Sequence, residues 1–526
     1  MIRLRQIKVD VNNDNLKEVI SKKLNINSFD INNITIIKKS IDSRKKPNIY
    51  YVYEVDISVD NEEYLLNKYS SIDIFKTPNE EYRFKPSGNM ILNNKIVIVG
   101  SGPSGLFCAY LLSSYGYKVL VIERGSDVDT RIDKVNKFWN DNKLDIECNV
   151  QFGEGGAGTF SDGKLNTLIK DKDFRMKKVF ELFVENGANS NIMYDNKPHI
   201  GTDILVNVVK NMRNKIIDNG GEFRFDTKLT DIKYEDNILK SIIVNDNEEI
   251  LCSCLVLAIG HSARDTFEML YDNKINMEGK PFAIGIRIQH AQDLINNNQY
   301  GNNYNTNLPV ASYKLTHTCK NKRGVYTFCM CPGGYVVNAS SEEKLLAING
   351  MSYHDRGSGN ANSAVIVTVG PKDYGYNPLD GVEFQRKLET ITYKVGNGLI
   401  PVQLYKDFKT NKDSIKLGSI KPMFKGKYKL ANLNDIFPDY IIESLKEGID
   451  AFDKKIKGFA CDDAILAAIE SRTSSPVRII RDENFESNIR GIYPTGEGCG
   501  YAGGITSSAM DGIKVAEAIM SKYRNE

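Results

Sequence analysis

Lys95-Ile96-Val97-Ile98-Val99-Gly100-Ser101-Gly102-Pro103-Ser104-Gly105 is the stretch on which the fold turns. Ile96 to Val99 is a short run with no polar face, the pattern of a strand buried on both sides. A complete G-x-G-x-x-G follows, then an apolar helix over 106–115 and a second apolar strand over 118–122. This is a β-α-β unit, the context in which the glycine motif carries information. Gly100 permits the tight turn, Gly102 lets the backbone approach a pyrophosphate, and Gly105 lets the helix pack close to the sheet. Ser101, Pro103 and Ser104 complete the turn, and the helix N-terminus presents free N–H groups to phosphate oxygens. Glu123 closes the second strand 18 positions after Gly105. A carboxylate there is expected to accept from both hydroxyls of an adenosine ribose and to repel a 2′-phosphate, with Arg124 beside it in the same wall.

Outward from this unit the texture changes several times. Residues 1–90 read as a small α+β appendage: strands near 2–9, 34–38 and 50–59, a helix over 15–24, and a proline-containing linker over 71–92. Residues 91–274 read as the first part of a dinucleotide-binding domain, with strands also at 223–225 and 242–244, expected as antiparallel, and at 252–259. Residues 275–450 read as an inserted α+β substrate domain. Residues 451–526 return to the first domain through a helix over 465–469 and then strand, glycine turn and helix from Gly491 onward. The expected class is therefore α/β, with a discontinuous Rossmann-like domain, an insert and an appendage.

The choice between FAD and NAD rests on three further stretches. Ile492-Tyr493-Pro494-Thr495-Gly496-Glu497 is a strand ending in Gly-acid, and Gly503-Gly504-Ile505 opens a helix. An acid there is expected on a ribityl chain, and the helix N-terminus on a flavin pyrimidine ring, where reduced flavin is anionic. Leu255-Val256-Leu257-Ala258-Ile259-Gly260 returns the chain to the cofactor. Phe152-Gly153-Glu154-Gly155-Gly156-Ala157-Gly158-Thr159 supplies glycines that allow backbone to lie against a ring system. The G-x-G-x-x-G spacing recurs at 153–158 and 498–503, but neither copy sits in a second β-α-β unit. A resident FAD is expected, with NAD(P)H at most a transient donor.

Composition bounds the rest. The 526 residues carry a net charge of +2, with 41% hydrophobic and 26% charged residues, which fits a soluble protein of two or three domains. No apolar run approaches a membrane span, and no secretory leader is apparent. Residues 1–90 hold 15 Lys/Arg against 13 Asp/Glu, too balanced for a nucleic-acid grip. Nine cysteines without a disulfide-like frame fit a reducing cytoplasm. No metal-ligand spacing is evident.

Pro198-His199-Ile200-Gly201-Thr202-Asp203, Gly260-His261-Ser262-Ala263-Arg264-Asp265 and Phe328-Cys329-Met330-Cys331-Pro332-Gly333-Gly334 are the most specific remaining motifs. With Ser352-Tyr353-His354, Glu470-Ser471-Arg472-Thr473-Ser474-Ser475-Pro476-Val477-Arg478 and the stretch from Gly496 to Gly504, they resemble a family of bacterial FAD-dependent dehydrogenases of the glutathione reductase-like flavoprotein superfamily. The resemblance covers nearly the whole chain. It implies an FAD-dependent oxidoreductase acting on a small-molecule substrate, and it names no substrate.

Four residues stand out for chemistry. Cys329 and Cys331, expected on one strand face, would make a thiol pair beside a flavin or two small packing residues. His261 follows the Gly260 turn. Arg472 is placed to bind an anionic substrate or to make an interface ion pair, and Arg478 shares that choice. His199 and His354 are candidates for proton transfer, and Cys252/Cys254 reads as structural. Flavin monooxygenase, RNA-modifying flavoenzyme and non-catalytic redox sensor are the competing functions.

Overall fold

The computed structural model describes residues 1–526 apart from Asp14, Asn303 and Glu526. Ile96–Val99 is the middle strand of a five-stranded parallel sheet, ordered Ile492–Pro494, Leu255–Leu257, Ile96–Val99, Val119–Ile122, Glu222–Arg224. Its four residues are apolar because each face meets a different core. Ile96 and Ile98 join helices Pro103–Ser114, Thr202–Asp218 and Ile505–Lys522, whereas Val97 and Val99 face helix Arg264–Asp272 and a three-stranded antiparallel sheet. That small sheet is Leu229–Glu235, Ile238–Val244 and Glu248–Leu251. The stretch at 223–225, expected to be antiparallel, instead forms the parallel edge strand Glu222–Arg224.

The second unit is built on a seven-stranded sheet. Its longest pair, Phe282–Ala291 with Asn360–Val369, runs in antiparallel register from Phe282 opposite Val369 to Ala291 opposite Asn360. Ile465–Glu470, expected as a helix, is a strand of this sheet between Phe282–Ala291 and Ile400–Leu404. A short apolar run is ambiguous by periodicity, and here burial on both faces selects the strand. The sheet thus takes strands as late as residue 470, past the boundary expected at 450.

The appendage is a four-stranded sheet, ordered Ile31–Lys45, Asn48–Val59, Ile2–Asp10, Ile74–Lys76, with helix Leu16–Leu24 burying Ile20 and Leu24. The last strand lies inside the stretch expected as linker. No helix among the described residues is long and apolar enough to cross a membrane.

The two large units are joined where the chain leaves and returns, Met277–Gly279 pairing with Val477–Ile479. Beside this crossing Glu389, with no solvent exposure, lies between two arginines. Arg264 donates to its Oε1 at 2.7 Å and Oε2 at 2.9 Å, and Arg472 to the same oxygens at 3.0 and 2.8 Å. Helix Arg264–Asp272, helix Asp380–Gly396 and the returning chain are thereby tied by one buried triad. Replacing Glu389 by Gln leaves Arg264 and Arg472 to share the partly exposed Glu342, 2.7 Å from Arg264 and 3.9 Å from Arg472, and urea unfolding is expected to show a loss of about 3 kcal/mol. The arginines hold the Glu389 carboxyl far below its ordinary range against the opposing effect of burial. Its contribution is therefore complete above the ordinary value of 4.5 and drains away as pH falls below it, so wild type and variant should converge in acid.

Candidate functional site

The glycine turn at residues 100–105 has the geometry its glycines imply. Gly100 has φ +99°, and a Cβ on it would stand 2.4 Å from the Ala258 carbonyl oxygen. A Cβ on Gly105 would stand 1.9 Å from the Gly100 carbonyl oxygen, so helix and turn close only around glycine. Gly102 is different: a Cβ there would meet nothing nearer than the Gly156 Cα at 3.8 Å. The space in front of Gly102 is part of a cavity of about 1090 Å³. Ordinary ligand pockets span about 300–1,000 Å³, so this one has room for a dinucleotide and a small substrate.

Two helices point their N-termini into the cavity. Pro103–Ser114 begins at Gly102, and Ile505–Lys522 begins at Gly504. Gly503 has no atom within 4 Å of a notional Cβ, and neither has Gly260, whose φ is +73°. Open space beside Gly102, Gly260 and Gly503 fits a bound group that needs flat access to backbone. The donor set, two helix ends and bare peptide, suits a phosphorylated ring-bearing cofactor such as FAD.

The glycine loop at 153–158 closes over the turn. Gly155 N–H donates to the Ser101 carbonyl at 3.0 Å, and Gly156, Ala157 and Gly158 line the cavity. Its organiser is Arg131, which has no solvent exposure and donates to the carbonyls of Asn149, Val150, Gly153, Glu154 and Gly156 at 2.7–3.1 Å. Burial lowers the Arg131 pKa to about 10 against the opposing pull of Glu123 and Glu154.

Glu123 stands at its expected place, but its acceptor sites are taken. Oε2 accepts from Ser101 N–H at 2.9 Å and Ser101 Oγ–H at 2.8 Å; Oε1 accepts from the N–H groups of Gly125 and Gly153, both at 3.0 Å. The carboxylate fixes the turn and the loop to one another. Arg124 forks onto Asp265 at 2.9 Å and covers the Phe152 ring at 4.0 Å.

At the C-terminal turn the acid that holds Gly496 is Asp511, which accepts from Gly496 N–H at 2.8 Å and from Arg481. Glu497 lies in the cavity wall instead. Burial pushes its carboxyl up to about 7, with Lys280 pulling it back and Cys329 adding to the rise.

The remaining candidates divide. Cys329 lines the cavity, whereas Cys331 is buried behind it. They do not share a strand face in regular alternation, because Phe328 pairs with Ala364 and Cys331 with Asn362, leaving a bulge at 329–330 with Cys329 at φ +41°. Cys331 Sγ–H donates to the Cys329 carbonyl at 3.3 Å. The Cys331 thiol and then the Arg287 guanidinium hold the Cys329 thiol below its ordinary range, while Cys331 is raised. His261 lines the cavity, its Nδ1 2.9 Å from Ser262 Oγ, and burial followed by Arg472 and Arg264 drops its pKa to about 3, so it is neutral. Arg472 reaches the wall with its guanidinium committed to the Glu389 triad. Arg478 lies over the Tyr501 ring and is paired with Glu278. His199 and His354 stack on each other at 5.2 Å, with Nε2 and Nδ1 on backbone carbonyls. Cys252 and Cys254 are buried in the core.

A basic group was not visible in the sequence. Lys164, Lys197 and Arg356 line the cavity beside buried Asp162, to which Arg356 bonds at 3.1 and 2.6 Å. These residues come from three separate loops, and only the tertiary fold brings them together.

Fold and site define an FAD-dependent oxidoreductase. Residues 281–473 match a family model described as FAD-dependent protein, C-terminal domain-like, and 98–152 match an NAD(P)-binding Rossmann-like domain. Residues 1–58 match a domain of unknown function. The chain belongs to the family that contains an uncharacterized protein of Clostridium beijerinckii, to which it is 51% identical over 530 residues, 99% of each chain. Among solved structures, L-proline dehydrogenase from P. horikoshii is similar at 12% identity and TM-score 0.36, over 82% of this chain and 94% of that one. Glycine oxidase from Bacillus cereus is similar at 11% and 0.35, over 82% and 99%. Likeness at this level carries nothing about substrate.

Gly102→Val tests the turn. The side chain would project into the open space and not into protein, so FAD affinity is expected to fall by about tenfold or more, the loss of roughly 1.4 kcal/mol or greater. Flavin absorbance per protein reads the affinity, and circular dichroism should show the fold intact.

Proposed function

We propose that this oxidoreductase transfers a hydride between FAD and a small organic substrate held between the parallel sheet and the seven-stranded sheet. The observation that carries the reading is one continuous cavity lined both by Gly100 and Gly102 beside the parallel sheet and by Thr327, Phe328, Cys329 and Met330 of the seven-stranded sheet. When bound, FAD supplies the two-electron chemistry at its isoalloxazine ring. In this reading Gly102, Pro103 and Ser104 bind the pyrophosphate through the helix N-terminus, with Gly100, Ser101 and Gly105 shaping the turn. Gly503, Gly504 and Ile505 bring the second helix N-terminus to the ring's electron-rich edge. Gly155, Gly156, Ala157, Gly158 and Gly260 offer backbone to the cofactor, and Glu123 and Arg124 order the adenosine end.

Glu497 is the group suited to hold a proton. Its carboxyl is neutral below about pH 7 and charged above it, so it can give or take a proton at working pH. His261 is fixed neutral and acts by hydrogen bonding alone. Cys329 presents a thiol at the substrate end, where it contacts substrate or, with Cys331, stores electrons. NAD(P)H serves as a transient donor. A cytoplasmic setting fits nine free cysteines.

Acid extraction of the purified protein is expected to release FAD; NAD alone would overturn the reading. Anaerobic titration should bleach the flavin with two electron equivalents. Uptake of four, falling to two in Cys329→Ser, would assign the thiol pair to electron storage. The spectrum of the bound flavin should titrate near pH 7 in wild type and lose that transition in Glu497→Gln.

A further inference from the structure

The N-terminal unit reaches the cavity through a bulge. Strand Ile31–Lys45 pairs with Asn48–Val59 with a register break between Ile36 and Lys38, leaving Ile37 as the extra residue. A bulge re-aims side chains out of the ladder, and Ile37 and Lys38 both line the cavity. The next residue fastens the neighbouring wall. Lys39 N–H donates to the Tyr194 carbonyl at 2.7 Å, and Asn196 N–H to the Lys39 carbonyl at 2.8 Å. Residues 194–197 line the same cavity.

Two chemistries meet at this end. Ile37, Met176, Phe180, Ile192 and Met193 make an apolar surface, and Lys38, Lys164, Lys197 and Arg356 make a basic one. The carboxylates on these loops are Asp162, held by Arg356 and 3.8 Å from Lys164 Nζ, and Asp195, which faces Lys39. Of the other acids in the wall, Glu470 is paired with Arg287, and Glu497 faces Lys280. Lys197 donates to Ser312 Oγ at 3.0 Å. Burial, then Lys164 and Arg356, lower its pKa, as expected of a cation short of countercharge. The hydrogen-bonded partners of Lys197 and Arg356 are Ser312 and Asp162.

We propose that this end of the cavity binds an organic anion with an apolar body, and that the N-terminal unit is part of the binding site through Ile37 and Lys38. The inference rests on the FAD reading above for the occupant of the rest of the cavity. The apolar residues would take the body, and Lys164 and Lys197 the carboxylate or equivalent group.

The test is calorimetric titration of the full-length protein with 3-phenylpropionate, 3-phenylpropionamide and 3-phenylpropylamine, with flavin content measured separately. The carboxylate is expected to bind at least about tenfold more tightly than the amide, a difference of about 1.4 kcal/mol. Lys197→Met should erase that preference. Ile37→Asp should weaken the carboxylate by a similar factor, with FAD content and melting temperature unchanged, and Ile37→Leu should restore it. Equal affinity for acid and amide, or no binding by any of the three, overturns the anion assignment. Unchanged carboxylate binding in Ile37→Asp overturns the role of the N-terminal unit. A protein without FAD would instead overturn the function proposed above, while the ratio of acid to amide still decides this inference.

Discussion

Arg131 places a positive charge where no water reaches it and surrounds that charge with five backbone carbonyls. A buried guanidinium without such partners costs several kcal/mol; with them it becomes a template. Asn149 Oδ1 turns the start of the loop by accepting from the N–H groups of Gln151 and Phe152, and the carbonyls from Asn149 to Gly156 converge on the guanidinium at their centre. Glu123 ties the same loop to the glycine turn from the other side, accepting from Gly153 N–H and Ser101 N–H. The cavity roof, the approach to Gly102 and the exit toward the second unit all depend on this pair of opposite charges acting on backbone.

The electrostatics of the cavity have a single theme. Asp162, Glu389, Glu470 and Asp511 are each held by an arginine, and Glu123 by four hydrogen-bond donors. Each of these acids cements two segments of the chain. Glu497 is held by no arginine, and burial lifts its carboxyl to about 7. Chemistry that needs a movable proton can therefore draw on Glu497.

What was legible in the sequence was local. The strand, turn and helix from Ile96 to Ser114 could be read because each glycine answers a constraint within a few residues of itself. The insert and the appendage announced themselves by changes of periodicity. Ile465–Glu470 misled because five apolar residues in a row look alike in a helix and in a strand, and the deciding fact was a neighbouring strand almost two hundred residues away. The Cys329–Cys331 spacing implied a shared face until a bulge broke the alternation. Arg131, Lys164, Lys197 and Arg356 were not legible, since their meaning lies in partners that only the folded chain supplies.

The parallel sheet also has a history in time. Leu255–Leu257 is covered on one side by Ile492–Pro494, which leaves the ribosome more than two hundred residues later. At about 5–20 residues per second, that edge stays open for roughly 10–50 s during synthesis. Through that interval the nascent chain carries an uncovered apolar strand and builds the whole seven-stranded sheet beside it. The cavity wall at Gly503 to Ile505 is thus completed only after the seven-stranded sheet has been made, and cellular factors that shield exposed strand edges have this interval in which to act.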